Sequence, residues 1–142
     1  MRADTHSRQA FEWPLRIYWE DTDAGGIVFY ANYLKFFERA RTEWLRTKGI
    51  EQGQLRDATG GMFVVSDTQV RYLSPARLDD ELIVTATPRE IGRASMTIEQ
   101  QAFLKTPGQP TLLCEASIRI GWINATTHKP ARIPLTLLEA LP

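Results

Sequence analysis

Residues 20–46 read EDTDAGGIVFYANYLKFFERARTEWLR, an acidic, glycine-containing stretch that runs straight into an amphipathic segment. Asp21, Asp23 and the Gly25-Gly26 pair break any regular period and predict a loop from Glu20 to Gly26. Beyond it Tyr33, Phe36, Phe37, Ala40, Trp44 and Leu45 recur at helical spacing and form one apolar stripe. Asn32 is a candidate N-cap and Gly49 sits where a helix would stop, so the pattern predicts one helix from about Tyr33 to about Lys48.

Working outward, Phe11, Trp13, Leu15, Ile17 and Trp19 alternate with other residues and predict a strand. Pro14 has no amide hydrogen to give to a ladder, which places that strand near an edge. On the other side, Gly53 to Gly61 reads as a glycine-rich linker. Met62–Leu73, Glu81–Ile91, Ala94–Leu104 and Thr111–Ile123 read as strands, separated by Ser74-Pro75, Gly92-Arg93 and Thr106-Pro107-Gly108-Gln109. Pro134–Leu141 suits a short closing helix. One long helix against antiparallel strands is an α+β layout, not the alternating pattern of a nucleotide-binding sheet. A single sheet around a single helix leaves strand edges open, so pairing between copies is expected. Residues 1–10 are expected to form a disordered tail and residues 11–142 a single domain.

Composition bounds the partners. Of 142 residues, 17 are basic and 17 acidic, so bulk charge argues for neither nucleic acid nor an anionic membrane as partner. No apolar run approaches the roughly 20 residues of a membrane span. Cys114 is the one cysteine, so no internal disulfide can form, and a cytoplasmic location is expected.

The acidic loop admits several chemistries. Asp21, Asp23 and Gly26 fall at the first, third and sixth positions of a calcium loop, but Gly25 and Asn32 stand where two further ligands belong. The Asp-x-Asp pair suits aspartyl-phosphate transfer only with a βαβ layout that the chain lacks. Asp21 is expected to anchor the loop by accepting backbone N–H groups. What remains is a carboxylate at the mouth of a helix. Gly25 and Gly26 let backbone approach a ligand closely, and unpaired helix amides can polarise a carbonyl. A nearby carboxylate can then attack that carbonyl or activate water against it. This chemistry needs no metal, histidine or cysteine, and no cofactor is expected.

Residues 20–30 with Asn32-Tyr33 and 38–46 (ERARTEWLR) resemble the hotdog-fold acyl-CoA thioesterases. More narrowly they resemble the 4-hydroxybenzoyl-CoA thioesterase-like group and its YbgC-type, Tol-Pal-associated branch. Residues 71–80 (RYLSPARLDD) and 93–97 (RASMT) extend the likeness, which runs from about Phe11 to about Ile123. The resemblance implies a long central helix wrapped by a five- to six-stranded antiparallel sheet, homodimers that assemble into homotetramers, and hydrolysis of acyl-CoA or acyl carrier protein thioesters. It implies that Asp23 is the catalytic carboxylate, as general base or nucleophile, and that the Tyr30 backbone amide polarises the carbonyl. It also points to Arg93 as a contact for the CoA phosphates, with Arg89 and Lys105 as substitutes. A non-catalytic, carrier-protein-binding scaffold is the alternative. A hotdog dehydratase would need a histidine near the loop or helix, and His6 and His128 are elsewhere.

Among other residues, Glu38 and Glu43 fall off the centre of the apolar stripe and suit solvated or salt-bridged roles. Arg41 lies beside Phe37 and Leu45 on the apolar side, where a charge requires a partner. Cys114 reads as a small core residue. Phe29, Phe36, Met62 and Phe63 are candidates to line an acyl pocket.

Overall fold

The computed structural model describes residues 10–142, so nearly all of the expected tail lies outside the described residues. Strand β1 (Phe11–Arg16) stops short of the predicted Trp19. Asp21 is the cause: its carboxylate accepts the Tyr18 N–H at 2.9 Å and closes a 3₁₀ turn over Trp19–Asp21. A short polar side chain that bonds its own backbone competes here with the ladder. Ile17 stays in the core, whereas Trp19 is 79% exposed.

Helix α1 (Asn32–Thr47) forms where the stripe predicts it. Ala31, not Asn32, occupies the cap position, and its backbone is already helical. Asn32 instead spends its side chain on the loop, donating from Nδ2 to the Asp21 carbonyl at 2.8 Å. At the other end Gly49 adopts φ +79°. Its N–H reaches the Arg46 carbonyl and the Ile50 N–H reaches that of Leu45, both at 3.0 Å. That is a Schellman stop, which only a residue free to be left-handed makes cheaply.

The expected linker is in fact helix α2 (Gln52–Thr59). Gln54, Leu55, Arg56 and Ala58 favour a helix, and one interior glycine costs only about 1 kcal/mol. The glycines that suggested a linker terminate or tighten it. Gly60 is left-handed at φ +74°, and a Cβ on Gly61 would lie 2.4 Å from the Trp122 ring.

The remaining elements are β2 (Gly61–Tyr72), β3 (Glu81–Arg89), β4 (Ser95–Leu104), β5 (Thr111–Asn124) and the short α3 (Leu135–Ala140). They complete one five-stranded antiparallel sheet in the order β1-β3-β4-β5-β2. β1 and β2 are its edges.

The sheet curls around α1. Tyr33, Phe36, Phe37, Ala40, Trp44 and Leu45 of the helix are buried, together with Leu82, Val84, Met96, Ile98, Ala116 and Ile118 of the sheet. Each fully buried large side chain contributes roughly 1.5–3 kcal/mol.

One core position is polar. Gln100 of β4 is wholly buried. Its amide donates to the Phe37 carbonyl of α1 at 3.0 Å and to the Thr85 carbonyl of β3 at 3.1 Å. Its oxygen accepts from Arg41 Nη1 at 2.9 Å, which supplies the partner that Arg41 requires. Replacing Gln100 by Leu leaves two carbonyls and a guanidinium group unsatisfied. The expected loss is about 2–4 kcal/mol, measured by denaturant unfolding.

Candidate active site

The acidic loop folds as a small hairpin. Thr22 and Val28 form an antiparallel bridge, the Asp23 N–H donates to the Ile27 carbonyl at 2.9 Å, and the Phe29 N–H donates to that of Asp21 at 3.0 Å. The hairpin is pinned from outside: the Val28 N–H donates to the Ala76 carbonyl at 2.9 Å, and Ile27 bridges Arg77. Asp21 is buried and anchors the turn, as expected of it.

Asp23 is exposed at the hairpin tip. Its Oδ1 accepts the Gly25 N–H at 2.8 Å, an Asx turn that fixes the carboxylate's direction and leaves Oδ2 without a protein donor among the described residues. The glycines serve this geometry. A Cβ on Gly25 would press on Asp23 Oδ1 at 3.3 Å, and Gly26 has φ +79° while its N–H returns to the Asp23 carbonyl at 3.0 Å.

From Ile27, opposite Asp23, the chain runs back beside Thr22 and Asp21 and enters the helix at Asn32. There the Asn32 N–H turns back to the Phe29 carbonyl at 2.8 Å and the Tyr33 N–H to that of Tyr30 at 3.3 Å. The Tyr30 N–H has no acceptor among the described residues. The mouth is held by two hydroxyls. Tyr72 of β2 donates to the Tyr30 carbonyl at 3.1 Å, and the Tyr33 hydroxyl accepts the Ala76 N–H at 3.3 Å. Phe29, Tyr30 and Tyr72 form an exposed aromatic group around it, with ring centroids 4.9 and 5.9 Å apart.

The predicted phosphate contacts lie elsewhere in the chain. Arg89 ends β3 and lines a cavity with Trp44, Thr47 and Lys48, at the far end of α1 from Asp23. A helix of this length spans about 24 Å, so Asp23 and Arg89 are not brought together within one chain. Arg93 follows in the β3–β4 turn, and its carbonyl accepts the Ile133 N–H at 2.7 Å. That bond sets Arg93 beside Arg132, and the two line a groove of about 680 Å³ floored by Ile133, Pro134, Leu135 and Leu138. Neither arginine is ion-paired among the described residues. The sequence reading missed Arg132, whose neighbour Arg93 is remote in the chain. Lys105 lies at the opposite end of the sheet, its N–H bonded to the Glu81 carbonyl.

Of the pocket candidates, Phe36 is fully buried in the core, Phe29 is exposed, and Phe63 lines a cavity between α1 and β2. Glu43 pairs with Arg46 at 3.5 Å.

A long helix enclosed by a five-stranded antiparallel sheet, with an aspartate hairpin at its mouth, is the hotdog arrangement of the thioesterases. The chain belongs to the Thioesterase superfamily, whose sequence profile matches residues 25–111. It is 39% identical over 124 residues to the acyl-CoA thioesterase YbgC of Haemophilus influenzae, covering 87% of this chain and 88% of that protein. A probable thioesterase from Bartonella henselae has the same fold at 32% identity and TM-score 0.79, covering 88% of this chain and 99% of that one. A 4-hydroxybenzoyl-CoA thioesterase solved with 4-hydroxybenzoyl-CoA superposes at TM-score 0.88, over 94% and 99% of the two chains. At 19% identity that likeness concerns the fold alone.

Cys114 is buried and its thiol is pushed up to about 12, chiefly by burial, with Glu115 adding to it. Burial also raises Tyr33 to about 12. Both groups stay neutral in the fold at pH values where the unfolded chain ionises. Their contribution is therefore intact below about pH 9 and declines as pH rises towards about 12. Native protein should resist iodoacetamide at pH 8, react after denaturation, and lose thermal stability steadily above pH 9.

Proposed function

We propose that this chain hydrolyses acyl-CoA thioesters to free acid and CoA, with Asp23 as the catalytic carboxylate and the Tyr30 amide as the group that polarises the carbonyl. The observations that support this reading are an exposed, directed carboxylate at the hairpin tip and, seven residues on at the helix mouth, an N–H with no acceptor among the described residues. A thioester oxygen accepting from Tyr30 N–H gains negative charge as its carbon is attacked, and an oriented amide stabilises that charge without reorganising. Asp23 then takes a proton from the attacking water, or itself attacks to give a mixed anhydride that water cleaves. In either route the C–S bond breaks and CoA leaves as its thiol; with Asp23 as base the oxygen of water ends in the acid, whereas water that cleaves the anhydride at the Asp23 carboxyl carbon leaves its oxygen in Asp23.

The CoA end of the substrate requires a second copy. β2 is an unpaired edge of twelve residues with an exposed run from Val65 to Gln69. Antiparallel pairing of two β2 strands about a twofold axis sets the α1 helices antiparallel. The Asp23 end of one copy then faces the Arg93–Arg132 groove of the other. Three strand spacings, roughly 14 Å, separate β2 of the first copy from β4 of the second, a span suited to a pantetheine arm. The two arginines would hold phosphate and the leucines the apolar remainder of the nucleotide. A phosphopantetheine on acyl carrier protein is the other carrier these groups suit. Pairing of such dimers into tetramers and a cytoplasmic location, in keeping with the lone buried thiol, complete the proposal. No helix among the described residues is long and apolar enough to cross a membrane.

Asp23→Asn should lower kcat by about 10²–10⁴-fold, and near-wild-type turnover would refute the assignment. Single turnover in oxygen-18 water separates the two routes, since only the anhydride leaves label in Asp23. Arg93→Ala with Arg132→Ala should raise KM for acyl-CoA and leave an acyl N-acetylcysteamine thioester, which has no phosphates, unaffected. Mixing that double variant with Asp23→Asn should restore about a quarter of wild-type activity after subunit exchange, because each mixed twofold dimer holds one intact site. A site contained in one chain would show no rescue.

A further inference from the structure

The amide assigned above to the thioester carbonyl belongs to the Phe29–Tyr30 peptide, which lies outside helix α1, since the helix begins at Asn32. The helix ladder therefore does not hold it. Its side chain adds little restraint, because Tyr30 is 62% exposed. The orientation of this amide depends on what bonds the two carbonyls on either side of the Tyr30 Cα. The first, that of Phe29, accepts the Asn32 N–H at 2.8 Å. N–H and C=O of a trans peptide point in opposite directions, so this bond sets one limit on where the Tyr30 N–H aims. The second, that of Tyr30, accepts the Tyr33 N–H at 3.3 Å, which is long against the usual range of roughly 2.7–3.2 Å.

Tyr72 supplies the closer contact to that second carbonyl. Its hydroxyl donates to the Tyr30 oxygen at 3.1 Å from a segment 42 residues away. Its backbone is fixed at the end of β2 by pairing with Cys114. Its ring meets the Tyr30 ring edge-on, with centroids 5.9 Å apart and planes at 88°, and lies 5.8 Å from the Tyr33 ring. The hydroxyl is thus presented from a ring seated against both tyrosines of the mouth. A carbonyl can only accept, so the phenol must keep its proton to make this bond. Burial raises the Tyr72 pKa from its ordinary value, with Cys114 and Tyr30 adding to the shift. Asn32 and Tyr72 therefore restrain the backbone on the two sides of the Tyr30 Cα.

We propose that Tyr72 is a positioning residue for the hydrolysis: its hydroxyl, acting through the Tyr30 carbonyl, holds the Tyr30 N–H in the direction that the developing oxyanion needs. It rests on the reading of that amide as the polarising group. A misplacement of about 1 Å can cost about a hundredfold in rate. A bond that restrains the donor without being the donor contributes less than that, and its effect falls on kcat because the oxyanion exists only as the reaction proceeds.

Tyr72→Phe keeps the ring contacts and removes only the hydroxyl. With hexanoyl-CoA or benzoyl-CoA, whichever the wild type turns over faster, it should lower kcat by about tenfold and leave KM within about twofold. The Kd of S-hexyl-CoA, a thioether with no carbonyl, should also stay within about twofold, whereas a mouth that had lost its shape would release it. Replacing Tyr30 by its α-hydroxy acid exchanges the amide for an ester and deletes the N–H. That variant should be slower than Tyr72→Phe, and adding Tyr72→Phe to it should cost nothing further, because the two act as one unit. Wild-type kcat in Tyr72→Phe, weakened binding of the thioether, losses that add in the double variant, or hydrolysis of neither substrate by the wild type overturns the inference. Unchanged kcat in Tyr72→Phe beside a slow ester variant removes this inference alone. Full turnover in the ester variant removes the Tyr30 assignment on which it rests.

Discussion

The helix–sheet tie at Gln100 is the constraint on which the rest of the structure depends. An α-helix packed on a sheet along one apolar stripe is held by that packing, and a satisfied polar network adds a fixed position to it. Gln100 supplies that position because it bonds a carbonyl in the middle of α1 and another on β3, and accepts a hydrogen bond from Arg41 of the next helical turn. Fixing α1 along its axis fixes its mouth. The Tyr30 amide and the hairpin that delivers Asp23 take their positions from it.

At the mouth, hydrogen bonds add to the apolar burial of Val28, Tyr33 and Ala76. Asp21, Asn32, Tyr33 and Tyr72 hold it through hydrogen bonds to backbone, each between segments distant in sequence or folded back on themselves. Such an arrangement is stiff where the proposed reaction would need direction and open where a substrate would enter. The Asx turn at Asp23 is the same compromise in miniature: one carboxylate oxygen is committed to the turn so that the other is aimed.

Much of this was legible in the sequence. The stripe from Tyr33 to Leu45 is strongly periodic and became the central helix, and the turn signals after Leu73 and Leu104 separated real strands. What failed did so where side chains act on backbone. Asp21 ended β1 early, Asn32 was drawn from capping to the loop, and Gly60 and Gly61 concealed α2 because one stops a helix and the other clears a tryptophan ring. The carboxylate and the helix mouth could be considered together because they are close in sequence. Arg132 could not be placed beside Arg93, since that depends on a single backbone bond between segments forty residues apart.

The two edges of the sheet differ in a way that governs assembly. β1 has six residues, contains Pro14 and is flanked by the Arg16–Glu81 ion pair, whereas β2 is twice as long and exposes Val65 to Gln69. A sheet with two receptive edges can recruit neighbours without limit, as fibrils do. A sheet with one can recruit a single neighbour, and the pair then presents only its blunt sides. The proline in β1 thus acts as a terminator, and the edge-to-edge pairing proposed above would end at two copies.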